Sequence, residues 1–312
     1  MSGPVFVLTA HRSGGTALAR GLNRHPDLMI WGEHAGLINK LAELDEVIGH
    51  YPPLTRPLGE RELAEHVRLG KFDPGGFDPW RNPFEQADWR DWCRRFIEAT
   101  FCRGLHPGQR WGFKEVRYHT PVTARFLATL FPEARFVLLQ RELGPLVVSN
   151  MLTPWSMGKL RRLGATDSEA GVRAAVHDCA YALAVVNHGL DGIAKALPRQ
   201  CCVVRSRALT DPVRTFGALF AFLGLPQWPA LLDEVKEASD RQLGVTDLGQ
   251  SEGHLSRETV LRLLPEALAA AAADLAAGPP DLTRLKRLGP TGRYSFLVGD
   301  HELVGTPYST MF

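Results

Sequence analysis

Short apolar runs alternate with longer amphipathic segments along most of the chain. Each run holds four or five residues bounded by polar or turn residues, a pattern typical of buried parallel strands. The predicted strands are Val5–Thr9, Leu28–Trp31, 110–114, 135–139 and 201–204. Apolar positions at helical spacing predict helices at 16–23, 36–48, 89–101, 121–130, 144–151, 171–197, 212–223 and 257–277. The alternation predicts an α/β fold with a central parallel sheet and helices on both faces.

Two stretches interrupt this alternation. Residues 49–88 contain repeated turn signals and scattered aromatic residues, so we predict loops and short helices there. The second stretch is 151–170. Such insertions carry substrate selectivity about as often as they merely cover the core, and we predict that both stretches shape the acceptor site or form a lid. With no internal repeat or linker, residues 1–312 are predicted to form a single domain.

The composition is that of an ordinary globular protein. The 312 residues are 45% hydrophobic and 22% charged, and a formal net charge of +2 gives no general case for binding nucleic acid. The late apolar segment 267–277 is too short for a bilayer, which needs about 20 apolar residues. Five cysteines without CxxC spacing predict thiols rather than disulfides or zinc. No signal peptide is visible, so a cytoplasmic location is expected. The oligomeric state stays open.

The segment after the first strand has the form of an anion-binding loop. It is His11-Arg12-Ser13-Gly14-Gly15-Thr16, and an Ala/Leu-rich helix follows. Glycines let the backbone turn its N–H groups inward, and the positive end of a helix dipole favours an anion. The loop therefore predicts a phosphate site, although plain tight turns use the same residues. It lacks the Gly-Lys-Ser/Thr ending of an ATP or GTP site.

Charged side chains also follow three later strands, at the sheet edge where ligands bind in wound folds. Glu33 follows the second strand and is a candidate general base for a hydroxyl acceptor. Lys114 ends the third and is placed to neutralise charge on a transferring group. Arg141 follows the fourth, and Ser149 lies eight positions later, so both are candidates for one phosphate. Taken alone, Glu33 and Arg141 are more typical of a solvated surface and Ser149 of an ordinary helix, whereas for Lys114 a surface ion-pair cluster is about as typical.

Together these motifs resemble the sulfotransferases that use 3′-phosphoadenosine 5′-phosphosulfate. The loop at 11–16 resembles their 5′-phosphosulfate loop, usually Arg/Lys-Ser-Gly-Thr/Ser-Thr. The segment RFVLLQRELGPLVVSNML, at 135–152, resembles their 3′-phosphate element. NRHPDLMIWGEHAGL, at 23–37, and WGFKEVRYHTP, at 111–121, resemble segments of the branch that includes protein-tyrosine and carbohydrate sulfotransferases.

The resemblance implies a P-loop-type three-layer fold and transfer of a sulfuryl group to a hydroxyl of a small molecule or carbohydrate. The other product is 3′-phosphoadenosine 5′-phosphate, and no metal is expected. The implied catalytic residues are Glu33 as base, Arg12 and Lys114. The implied cofactor-binding residues are Arg12, Ser13, Gly14, Gly15, Thr16, Ala17, Arg141, Ser149 and Arg293, the last in a basic Gly-rich segment at 288–296.

The sequence also departs from the pattern that it resembles. Gly15 stands where Thr or Ser is usual, and Glu142-Leu143-Gly144-Pro145 replaces the common Asp-Pro-Arg-Asp. These departures permit a nucleotide-binding protein without catalysis as one alternative. A P-loop nucleotide kinase is another, and peptide tyrosine is an alternative acceptor. Against the kinase, Gln140 and Arg141 stand where an ATPase presents an acidic metal ligand.

Overall fold

A computed structural model of the protein describes residues 3–50, 85–243, 251–278 and 280. Most of the predicted insertion at 49–88 and the predicted phosphate residue Arg293 lie outside the described residues. The strands are β1 (Val5–Thr9), β2 (Leu28–Trp31), β3 (Arg110–Glu115), β4 (Arg135–Gln140) and β5 (Cys201–Arg205). The first helices are α1 (Gly15–Leu22), α2 (Leu37–His50), α3 (Gln86–Phe101), α4 (Pro121–Leu130) and α5 (Leu143–Met151). The later ones are α6 (Pro154–Arg162), α7 (Glu169–Ala196), α8 (Pro212–Leu223), α9 (Pro229–Leu243) and α10 (Arg257–Ala277), with a 3₁₀ turn at Ser206–Thr210.

The five strands form one parallel sheet in the order β2-β3-β1-β4-β5. Consecutive strands in the chain are separated by helices, as right-handed parallel crossovers require. The predicted α/β fold with a central parallel sheet is confirmed. Because all strands run the same way, their carboxyl ends meet at one edge of the sheet.

Alternate residues of β1 feed two separate cores, one on each face of the sheet. Phe6 and Leu8 belong to the larger core, which is covered by α2–α7 and α10. Val5 and Val7 belong to the smaller core, which is covered by α1, α8 and α9. All four side chains are fully buried, as expected for a central parallel strand. The structure therefore has the predicted three layers of helix, sheet and helix.

Two helices were not foreseen as such. Helix α6 lies within the predicted insertion at 151–170, where the side chain of Thr153 caps it by accepting the Ser156 N–H at 3.4 Å. Pro154 takes the first helical position, where its missing N–H is no loss. Helix α9 occupies a region that the sequence marked only as polar and helical. The ends of the 49–88 stretch are also helical, because α2 extends to His50 and α3 begins at Gln86.

All five cysteines fall within the described ranges and are thiols, as predicted. Burial raises the pKa of Cys93 to about 12, and burial with the neighbouring Cys202 raises that of Cys201 to about 12. Thiols with such values are poor nucleophiles at neutral pH. Across the described ranges, no helix combines the length and apolar character needed to cross a membrane.

Candidate active site

A cleft of about 950 Å³ lies at the sheet edge where the strands end. It is lined from the β1–α1 loop, from the segments after β2, β3 and β4, and from the 3₁₀ turn after β5. All predicted site residues within the described ranges line it, namely Arg12, Ser13, Gly14, Gly15, Thr16, Ala17, Glu33, Lys114, Arg141 and Ser149. Motifs that are spread over more than a hundred residues of sequence therefore meet in one cavity.

The β1–α1 loop bends through two left-handed residues. Arg12 has φ 64° and Gly14 has φ 98°, conformations that turn the backbone sharply before α1 begins. Inside the bend, the Ser13 hydroxyl donates to the carbonyl of Ala10 at 2.6 Å and contacts the Thr9 hydroxyl. Gly14 caps α1 without any side-chain hydrogen bond, so no side chain covers the first-turn N–H groups at the helix start. This is the geometry of a backbone anion site.

Side chains from the segment after β4 and from α5 hydrogen-bond to this loop. Arg141 donates from NH1 to the carbonyl of Arg12 at 2.7 Å, and Asn150 donates to that of His11 at 3.2 Å. Arg12 in turn donates from Nε to the Ser149 hydroxyl at 3.4 Å. Burial, and then the charge of Arg12, lower the pKa of Arg141. Two guanidinium groups that repel each other in one cleft favour an anion between them.

Lys114 crosses the loop beside Gly15. A β-carbon at position 15 would stand 2.9 Å from the Lys114 Cε and 2.8 Å from the Thr9 Cγ2. A larger residue at position 15 would therefore have to displace Thr9 or Lys114, because these two side chains occupy the volume that it would need. The Lys114 ammonium then reaches Glu33 on the far side, with Nζ 2.5 Å from Oε1.

Glu33 follows β2 and is held by cations on both carboxylate oxygens. Lys114 contacts Oε1, and Arg117 contacts Oε2 at 3.2 Å through NH1. The Glu33 side chain is 30% exposed, which leaves it open to the cleft. Burial disfavours its ionised form, but the hydrogen bond and charge of Lys114, with the charges of His11 and Arg117, outweigh burial and lower the pKa of Glu33.

The three histidines near the motifs differ in their access to the cleft. His11 lines it, with its ring 6.3 Å from that of Trp155. His34 and His119 do not line it. The Tyr118 hydroxyl and the His34 Nε2 share a hydrogen bond at 2.5 Å, and burial lowers the pKa of His34 despite the nearby Glu115. In the part of the chain that the structure describes, no three His, Cys, Asp or Glu side chains converge on a metal site.

Several cleft residues were not predicted from the sequence. Arg205 ends β5, Ser206 and Arg207 follow it, and Thr210 ends the 3₁₀ turn. The signal was present, since an apolar strand ends there in a basic segment, but only its position beside β4 brings it into the cleft. Asn187, on α7, also lines the cleft, and its side-chain amide donates to the Arg141 carbonyl at 3.2 Å.

The predicted insertion at 151–170 contributes to two cavities. Trp155 lines the main cleft, whereas Ser156 and Lys159 line a second cavity of about 350 Å³ between α6 and α7. Lys159 is only 5% exposed, and burial, followed by the charge of Arg162, lowers its pKa. An acceptor role for this stretch stays a prediction.

Three solved structures are similar to the chain at low sequence identity. The sulfotransferase domain from the curacin biosynthetic pathway is 18% identical, with a TM-score of 0.44, over 98% of this chain and 99% of that domain. A sulfotransferase from Alicyclobacillus acidocaldarius is 18% identical, with a TM-score of 0.42, over 86% of this chain and 94% of that one. A sulfotransferase from Mycobacterium avium is 13% identical, with a TM-score of 0.41, over 85% and 76% of the respective chains. No curated protein sequence matches the chain.

The sequence model of the sulfotransferase family matches residues 4–230. This range covers more than half of the chain and includes the cleft residues contributed by the loop and by β2 to β5. The resemblance that the sequence motifs indicated is thereby confirmed at the level of the family. The chain belongs to the sulfotransferase family.

Proposed function

We propose that the chain transfers a sulfuryl group from 3′-phosphoadenosine 5′-phosphosulfate to a hydroxyl of a small-molecule or carbohydrate acceptor. One observation carries the proposal. Lys114 passes against the anion loop at Gly15 and ends on the Glu33 carboxylate. The site thus places an anion loop, a cation and a carboxylate next to one another, which is the set that group transfer to a hydroxyl needs.

The residues present fit a nucleotide with phosphates at both ends of its ribose. The loop at 12–16, with its bend at Gly14 and its open helix start, suits the 5′ group. Arg141 and Ser149 suit the 3′-phosphate, since both line the cleft one strand away from the loop. Arg205 and Arg207 add positive charge beyond them. Selection of this nucleotide over ATP would therefore rest on Arg141 and Ser149.

The chemistry divides between the donor and the chain. When bound, the donor supplies a sulfuryl group on a phosphate leaving group, so that a sulfur–oxygen bond to the acceptor replaces the one to phosphate. Glu33 accepts the proton of the acceptor hydroxyl, a function that typically contributes about 10²–10⁴-fold in rate. Arg12, Lys114 and the loop N–H groups stabilise the negative charge that develops on the transferred and leaving oxygens. Because these cations already line the cleft, the proposal assigns no role to a metal.

On the acceptor side, the ring of Trp155 and the imidazole of His11 face the cleft. A flat aromatic or sugar ring would pack against such a surface. A small molecule or carbohydrate with a hydroxyl is therefore the proposed acceptor class, and a peptide tyrosine is the class against which it is tested.

The test combines one variant with two measurements. Glu33→Gln should bind 3′-phosphoadenosine 5′-phosphate as the wild type does in calorimetry, yet lose transfer of ³⁵S from the labelled donor to a panel of phenols, sugars and tyrosine peptides. Glu142→Gln is the matched control, because Glu142 lines the same cleft but its side chain is 72% exposed. An active Glu33→Gln variant would refute the base. Magnesium-dependent ATP turnover would favour a kinase, and binding without transfer to any acceptor would favour an inactive nucleotide-binding protein.

A further inference from the structure

We infer that Glu115 and Arg117 are positioning residues that hold the Glu33 carboxylate from the side away from the cleft. The inference rests on the proposed function, in which Glu33 is the base. Neither Glu115 nor Arg117 lines the cleft, whereas Glu33, Lys114 and the intervening Val116 do. The pair therefore acts through Glu33 rather than on the substrate.

Glu115 is the fixed point of the arrangement. It ends β3 with its side chain fully buried, and its carboxylate accepts four hydrogen bonds. Oε2 accepts the backbone N–H groups of His34 at 3.0 Å and Gly36 at 3.2 Å. Oε1 accepts the Val116 N–H at 2.8 Å and Arg117 NH1 at 2.6 Å. Because this carboxylate accepts four hydrogen bonds at the end of an interior strand, it cannot shift without breaking several of them at once.

Arg117 connects this fixed point to Glu33. Its NH1 lies 2.6 Å from the Glu115 Oε1 and 3.2 Å from the Glu33 Oε2, and its side chain is only 7% exposed. A rigid guanidinium shared by two carboxylates fixes the direction in which Glu33 points. Lys114, on Oε1, is then left on the side that faces the cleft.

The backbone between Glu33 and α2 also depends on the pair. Ala35, with φ 60°, and Gly36, with φ 74°, are both left-handed, a conformation that is unfavourable for alanine. The Glu115 carboxylate holds the N–H groups on both sides of Ala35. A β-carbon on Gly36 would stand 3.2 Å from the Arg117 Cδ, so the turn packs directly on the arginine stem. The same two residues thus set both the path of the Glu33 loop and the orientation of its carboxylate.

Arg117→Met tests the inference, with Arg125→Met as control because Arg125 is exposed on α4 and does not line the cleft. We expect kcat to fall by about 10–10²-fold, as for misplacement of a catalytic group by about 1 Å. The donor KM and product binding should stay within about twofold, since the lost interaction concerns the transition state. The acid limb of the pH–rate profile should move to higher pH, because a cation beside Glu33 is lost. Arg117→Lys keeps the positive charge but not the planar guanidinium, so its kcat should lie between those of the wild type and Arg117→Met.

Arg117→Met leaves the buried Glu115 carboxylate without the Arg117 cation, and this loss destabilises the fold. The double variant Glu115→Gln/Arg117→Met removes both charges and keeps the test valid if the single variant fails to fold. It should fold, bind the nucleotide product and show the same kcat loss and pH shift. NMR titration of ¹³C-labelled glutamate, with Glu33→Gln to assign the signal, reads the same change without turnover.

The outcomes separate the two proposals. A wild-type chain that transfers no sulfate to any acceptor would overturn the proposed function, and this role with it. An active wild type whose folded Arg117 variants keep the wild-type kcat, pH profile and Glu33 titration would overturn the positioning role alone.

Discussion

The Lys114 side chain occupies the space that a side chain at Gly15 would need, because the lysine Cε lies 2.9 Å from the point where a β-carbon on Gly15 would stand. Sulfotransferases with the resembling loop usually carry Thr or Ser at this position. In this chain the methylenes of Lys114 occupy that volume, and the ammonium continues to Glu33. The absent side chain and the lysine contact are therefore two parts of the same packing arrangement.

Gly15→Ala should move Lys114 rather than unfold the chain, because a lysine stem yields more easily than Thr9 on a buried strand. Loss of the contact with Glu33 removes one charge-stabilising group, so we expect kcat to fall by about 10²-fold. Steady-state kinetics and thermal melting measure the two effects. Gly158→Ala is the matched control, since its β-carbon would meet only the Arg162 NH1, at 3.8 Å. Wild-type kinetics in Gly15→Ala would contradict the role of Lys114.

The lowered pKa of Glu33 sets the direction of the pH dependence. In the free enzyme, kcat/KM should stay level down to the ordinary glutamate pKa of about 4.3 and fall only in stronger acid. The bound donor adds negative charge beside Glu33, so the acid limb of kcat should lie at higher pH than that of kcat/KM. Profiles at constant ionic strength test both statements. A free-enzyme limb above the ordinary value would contradict the assigned ion pairs.

The same shift predicts how stability changes with pH. Because the folded-state pKa of Glu33 is lowered, its ion pairs stabilise the fold above the unfolded-state pKa, and this contribution is lost as pH falls through the folded-state value. Glu33→Gln lacks the contribution at every pH. Urea unfolding at neutral and acidic pH should therefore show a difference between wild type and variant that shrinks in acid, and a constant difference would argue against it.

Arg141→Ala should separate the two phosphate contacts. Loss of a hydrogen bond to a charged group costs about 1.5–3 kcal/mol, so binding of 3′-phosphoadenosine 5′-phosphate should weaken by about 10–10²-fold. Binding of adenosine 5′-phosphosulfate, which has no 3′-phosphate, should weaken much less. The expected loss comes only from the loop, because the variant lacks the hydrogen bond from Arg141 to the Arg12 carbonyl at 2.7 Å. Calorimetry with both nucleotides measures the ratio, and Arg125→Ala serves as control. Equal losses would remove Arg141 from the 3′-phosphate site.

Arg207→Ala should have a smaller, salt-sensitive effect. Its side chain is 81% exposed and 3.8 Å from Glu142, so its charge is well screened by solvent. We expect product binding to weaken by about threefold at low salt and hardly at all at high salt, where exposed charges are screened. Calorimetry at two salt concentrations tests this, with Arg214→Ala as control because Arg214 is exposed outside the cleft. A large loss at high salt would place Arg207 in direct contact with phosphate.

Local signals were enough to predict much of the sheet and the anion loop. Gly14-Gly15 lies a few residues after an apolar strand and opens a helix, so the bend depends on a few neighbouring residues. The same holds for Glu33 after β2. By contrast, the packing of Lys114 on Gly15 requires β3 to lie beside β1, and no local sequence pattern predicts the order of strands in a sheet. Arg207 was missed for the same reason.

Helix α6 was missed for a local reason. Its start, Thr153-Pro154, lies within the stretch 151–170, for which we predicted an insertion and no helix. In the structure the threonine caps the helix and the proline starts it, a pairing that favours a helix start. The roles of Glu115 and Arg117 were not predicted, because their sequence fits a solvent-exposed cluster of ion pairs equally well.

The strand order β2-β3-β1-β4-β5 has a consequence for how substitutions in this chain should be sorted. Glu33 and Lys114 belong to one half of the sheet, Arg141 and Arg207 to the other, and the loop after β1 lies between them. Under the proposed function, the β2–β3 half supplies the base Glu33 with its cations, and the β4–β5 half supplies the contacts to the 3′-phosphate. Altered acceptor preference should then be sought at His11 and Trp155, which face the cleft on the proposed acceptor side, while Glu33 and Arg141 are kept unchanged.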